Sequence, residues 1–162
     1  MSYVDVDYQA ILDRIVAIMN ADTAVTDTTG ATATEVTTWQ TGVPREGEIK
    51  QYPHGFVVLD QVNDTFYGTG SASEYEMFFK IGILHKSTSG SALEEVLLDL
   101  TKEVKEAIKN NTKLGTPGAI TTDTKVKRAW PEKVRFKRLA LEDRSGFIGG
   151  IIITVRAIHN TV

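Results

Sequence analysis

Few side chains in this 162-residue sequence are of types and spacings that do chemistry. His54 stands in Tyr52-Pro53-His54-Gly55, and His85 and His159 close two apolar runs. A transition-metal site needs such imidazoles to converge with a carboxylate, and nothing in their spacing brings them together. Glu94-Glu95 falls in the first turn of a predicted helix, where carboxylates complement the helix dipole and need no acid–base role. Gly68-Thr69-Gly70 lacks the third spaced glycine, the Lys-Ser/Thr pair and the following helix of a phosphate loop. Gly-x-Ser-x-Gly, His-Glu-x-x-His and nucleotide-binding patterns are missing. The sequence therefore points to a non-enzymatic protein with no metal and no cofactor.

One cluster has binding chemistry. Lys125, Lys127, Arg128, Lys133, Arg135, Lys137 and Arg138 put seven cations in fourteen residues, with Trp130 and Phe136 among them. Basic residues interleaved with aromatics bind nucleic acid. The alternation of Arg135 and Lys137 with Val134 and Phe136 is equally that of a strand with one solvated face.

These residues need elements to position them, and the strongest is Tyr75 to Asn111. Tyr75, Met77, Phe79, Ile81 and Ile83 share one face at period two, which predicts a strand with a buried side. After Lys86-Ser87-Thr88-Ser89-Gly90, the capping-box form Ser91-Ala92-Leu93-Glu94 predicts a helix over about 91–110. Leu93, Val96, Leu97, Leu100, Val104, Ala107 and Ile108 recur at spacings of three and four. Burying its large aliphatic side chains at about 1.5–3 kcal/mol each makes this the main helix-to-sheet contact.

Upstream, Tyr8, Ile11, Leu12, Ile15, Val16 and Met19 predict a first amphipathic helix, roughly 6–20, capped by Asp5 or Asp7. Residues 21–41 then hold nine threonines, with Val25, Val36 and Trp39 as the only larger apolar groups. Such a segment buries little, so an exposed loop or arm over about 21–42 is expected, able to reach a neighbouring subunit. Thr29, Thr32, Thr34 and Trp39 are its candidate contact residues, and Lys125, Lys127, Arg128, Trp130, Lys133 and Arg135 are those of the basic stretch. Phe56-Val57-Val58-Leu59 enters the sheet, and Asn63-Asp64 and Gly68 to Ser71 read as hairpin turns. Beyond the long helix, the chain to Pro131 reads as loop. Val134–Glu142 and Phe147–Ile158 predict a long antiparallel hairpin, with a bulge near Lys137 or Arg138 where apolar positions shift from even to odd.

The fold class that follows is α+β: a mainly antiparallel sheet of about four to six strands, packed by an N-terminal helix and one long central helix, in a single domain spanning 1–162. No cysteine is present, so stability comes from packing. No basic leader and no apolar run near 20 residues suggests a membrane, so a soluble, unprocessed chain is expected. Net charge is −3, unevenly spread: residues 1–76 carry twelve acidic and three basic side chains, the remainder nine acidic and fifteen basic. Halves of opposite sign favour head-to-tail association unless they interleave in space.

The order of helix, polar loop, Pro-flanked strand entry, strands, long helix and final long strand pair resembles the tail terminator (tail completion) proteins of long-tailed phages and related viruses. Val43-Pro44, Tyr52-Pro53-His54-Gly55-Phe56-Val57-Val58-Leu59, Phe79 to Lys86 leading through Gly90 into Glu94–Ile108, and the Arg138–Ile158 hairpin carry the resemblance. It implies a virion subunit, assembled in the host cytoplasm, that forms a ring with copies of itself, commonly a hexamer. That ring caps the tail tube protein, stops tail growth and meets a head connector or neck protein, with DNA only passing through the lumen. The alternatives are another head–tail neck or head-closure protein, or a nucleic-acid-binding module using residues 125–138.

Overall fold

The computed structural model describes residues 7–31, 34–66, 73–114, 126–140 and 146–160. In chain order these form helix α1 (Tyr8–Ala21), strand β1 (Thr38–Thr41), a 3₁₀ turn (Glu46–Glu48), β2 (His54–Phe66), β3 (Ser73–Ser87), helix α2 (Gly90–Asn110), β4 (Val126–Ala140) and β5 (Phe147–Asn160). The five strands make one sheet in the order β1-β2-β3-β5-β4, antiparallel except for the short parallel pair β1–β2. The fold is α+β, with two helices on a mostly antiparallel sheet.

Local chemistry accounts for both helices. Asp7 caps α1 by accepting from the Ala10 amide at 3.0 Å. Ile11, Ile15, Ile18 and Met19 form its buried stripe. The apolar period of α2 buries Leu93, Val96, Leu97, Leu100, Val104, Ala107 and Ile108, together with Thr101, whose hydroxyl donates to the Leu97 carbonyl at 2.7 Å. Its cap is Ser89, not Ser91: Ser89 accepts from the Ala92 amide, and the helix opens two residues earlier than the capping-box pattern suggests.

Alternation in the strands decides where the core lies. Met77, Phe79, Ile81 and Ile83 of β3 sit opposite Ala157, Val155, Ile153 and Ile151 of β5, and all eight are fully buried. Both helices cover this side, and their buried residues join the strands' in one cluster. The opposite side of the sheet carries neither helix.

Four expectations are corrected. Asn63-Asp64 is not a turn, because β2 continues through it to Phe66, paired with β3; the turn expected at Gly68 to Ser71 lies outside the described residues. β4 begins at Val126, within what reads as loop, and Pro131 is accommodated because β4 is an edge strand and the register shifts between Pro131 and Lys133. That shift and another between Val126 and Arg128 replace the bulge expected at Lys137 or Arg138, where pairing to Gly150 and Gly149 is regular. The threonine-rich segment, finally, is anchored and not a free arm. Val25 and Val36 are fully buried, a parallel bridge joins Thr26 to Val36, and the Thr26 hydroxyl donates to the Met19 carbonyl at 2.7 Å while accepting from Trp39 Nε1 at 2.8 Å. Trp39 lies across Gly55, where a Cβ would strike its ring.

Candidate interaction surface on the bare face of the sheet

The helix-free face collects the even-numbered residues of β3 and β5 and the residues paired with them. Phe56, Gly82, Ile152 and Arg135 form one row across four strands; His54, Leu84, Gly150 and Lys137 form the next. Phe56 is only 8 % exposed yet lies outside the main core cluster. Its ring is buried because Gly82 beside it has no side chain: a Cβ there would fall inside the ring. Gly150 likewise makes room for Leu84, whose Cδ2 would be 3.1 Å from an added Cβ. Together with Ile148, these residues floor a groove of about 530 Å³, with Arg135 and Lys137 on its rim.

Charge on this face divides into paired and unpaired groups. Lys80 meets Asp60 at 3.2 Å. Arg156 bonds Glu76, approaches Glu132 at 3.8 Å, and lies 6.0 Å from the Phe78 ring centroid and 5.3 Å from that of Trp130. Acidic residues of the first half thus meet basic residues of the second, which cancels part of the charge asymmetry along the chain. Lys133, Arg135 and Lys137 form no ion pair among the described residues. All three are exposed and project from the same side of β4.

Of the residues singled out from sequence, Arg128, Trp130, Lys133 and Arg135 are brought onto this one face. Lys127 is exposed at a bulge position outside the alternation. Thr29 and Thr34 are exposed, on the segment leading to β1 at the opposite edge of the sheet. Trp39 is buried, its ring and its N–H both engaged by the chain's own core. Thr32 and Lys125 lie outside the described residues. The groove residues Phe56, Leu84, Ile148 and Ile152 were missed; their signal is the pair of in-strand glycines, Gly82 and Gly150, which mark close approach.

The indole of Trp130 has two guanidinium groups against it, Arg128 and Arg156, each 5.3 Å from the centroid. A ring so engaged makes a poor platform for a stacked base. The histidines stay apart. His54 donates to or accepts from Gln40 through Nε2 at 2.8 Å, and burial holds its pKa below the ordinary 6.5 against an opposing pull from Glu48. His85, buried on the helix side, is lowered by burial, and its Nδ1 has no hydrogen-bond partner among the described residues. His159 pairs with Tyr75, ten residues along β3 from His85, or about 33 Å at the rise of a strand. No group of three or more His, Cys, Asp or Glu among the described residues is placed to hold a metal ion.

No protein-family model matches the chain, and no curated protein is detectably similar to it. Among solved structures it is similar to a chain from the virion of a native gene transfer agent particle, at 13 % identity and a TM-score of 0.44, over 90 % of this chain and 91 % of that one. That likeness is too loose to carry a role across.

Proposed function

We propose that this chain is a structural subunit of a phage-like virion that forms a ring of the tail terminator kind, closing the end of a tail tube and presenting a surface to the neck. One observation carries the reading: a two-layer fold whose sheet has one face that neither helix covers, with an apolar groove and three cations on it that form no ion pair among the described residues. A sheet face of this composition calls for a covering layer, and the chain supplies none from its own two helices. The cations also belong at a contact between proteins. A lumen that lets DNA pass must not hold it by counterion release, so Lys133, Arg135 and Lys137 are better placed at a subunit contact than around the bore.

The reading is tested by polymerising tail tube protein with and without this chain and viewing the products by negative-stain microscopy. Tubes of limited length capped by a ring are the expected result. Rings that bind a neck component while leaving tube length unchanged would move the chain to another neck position. Tubes unchanged and uncapped would contradict the reading.

The same three cations favour a second reading, nucleic-acid binding. It requires affinity for short duplex DNA that falls steeply between 50 and 200 mM salt, as phosphate contacts do, and that is lost in the K133A/R135A/K137A variant.

A further inference from the structure

The groove on the bare face has a counterpart on the far side of the same molecule. The outer surface of α2 exposes Leu98, 48 % accessible, between Glu95 and Asp99. Neither carboxylate has an ion-pair partner among the described residues; Glu94, one residue away, is taken by Arg138. Two like charges at i and i+4 weaken an isolated helix by a few tenths of a kcal/mol.

We infer that the outer face of α2 of one copy seats in the bare-face groove of the next, Leu98 entering the apolar floor while Glu95 and Asp99 meet Arg135 and Lys137. The inference rests on the ring reading above and adds to it the surfaces that make the contact. The spacings agree: Glu95 and Asp99 are about 6 Å apart along a helix axis, and Arg135 and Lys137 are about 6.8 Å apart along a strand. Each copy brings an acidic pair beside an apolar knob and a basic pair beside an apolar hollow, neither pair in an ion pair among the described residues. The two surfaces lie on opposite layers, since α2 buries its apolar stripe against one side of the sheet and the groove opens on the other. The contact is therefore heterologous, and copies follow one another around a closed ring or along a filament. Each bare sheet face becomes covered by a helix.

Both surfaces are exposed, so each can be changed without disturbing the core. Leu98→Asp spoils the helix surface and leaves the groove; Arg135→Glu with Lys137→Glu spoils the groove and leaves the helix. Light scattering should find wild-type protein as a multimer and each variant alone as a monomer, all with the wild-type far-ultraviolet circular dichroism. An equimolar mixture of the two variants should form a 1:1 dimer and stop there, because it contains one intact pair of surfaces. A multimer that survives in either variant, or a mixture that stays monomeric, overturns the inference and leaves the ring reading in place. Wild-type protein that self-associates neither alone nor on added tail tubes overturns both, and salt-dependent capture of duplex DNA that is lost in the charge-reversed variant gives the face to nucleic acid and overturns the inference.

Discussion

The ring of Phe56 occupies the space that a side chain at Gly82 would need, and a Cβ on Gly82 would fall within it. The two residues pair across β2 and β3 on the face that neither helix covers. Phe56 is thereby buried at the surface of the sheet and forms the floor of the groove. Gly82→Ala should expel it, at a cost of about 1–3 kcal/mol from overpacking, or roughly 2–12 °C in melting temperature for a chain of this size. A melting temperature within a degree of wild type would show that Phe56 is not held there.

Thr26 tests the anchoring of the threonine-rich segment. Its hydroxyl serves Met19 and Trp39 at once, so Thr26→Val leaves the buried indole N–H without its acceptor and takes one donor from the Met19 carbonyl, the Asp22 amide remaining; it should lower unfolding free energy by about 1–3 kcal/mol. Thr34→Ala, at an exposed position on the same segment, should stay within about 0.5 kcal/mol. Urea denaturation measures both. Equal, negligible effects would return the whole segment to the status of a free loop.

Arg156 and Arg138 should behave differently although each sits beside a carboxylate and an aromatic ring. Arg156 is shared among Glu76, Glu132, Phe78 and Trp130, whereas Arg138 meets Glu94 and Phe136 at an exposed edge. Arg156→Ala should cost more than Arg138→Ala, whose pair is worth about 0.2–1 kcal/mol, and should alter tryptophan emission by uncovering Trp130. Comparable costs with unchanged emission would contradict the difference in setting.

Acidification should destabilise the fold through its buried histidines. Burial lowers the pKa of His54 and of His85 from 6.5, so the unfolded chain takes up protons first as pH falls. Their neutral forms support full stability above pH 6.5, and that contribution is lost as pH drops below it toward the folded-state values. Urea midpoints should fall between pH 7.5 and 5.5, less so in His85→Gln than in wild type. A midpoint that rises over this interval would reverse the sign.

Much of the fold was legible where one apolar period ran uninterrupted. Leu93 to Ile108 and Met77 to Ile83 announced α2 and β3 because each buries a single face of a regular element. Legibility failed where distant partners decide. Trp39 looked available in a polar segment, but its N–H acceptor is Thr26, thirteen residues earlier, and its ring rests on Gly55. Ser91 and Ser89 both stand before an apolar run, and Ser89, with an extended backbone, is the one that caps the helix. For the candidate surface, alternation grouped Arg135 with Lys137 as the structure does, while the bulge before Arg128 removed Lys127 from the set. The groove floor is drawn from β2, β3 and β5; only the sheet order brings those residues side by side.

The mass of the purified protein in solution tests the central claim most directly. Light scattering across a hundredfold range of concentration should give one defined multiple of the 17.8 kDa chain, with negative-stain images showing closed rings and Arg135→Glu/Lys137→Glu reducing them to folded monomers. A 17.8 kDa particle at every concentration, with no ring formed on added tail tubes, would contradict it.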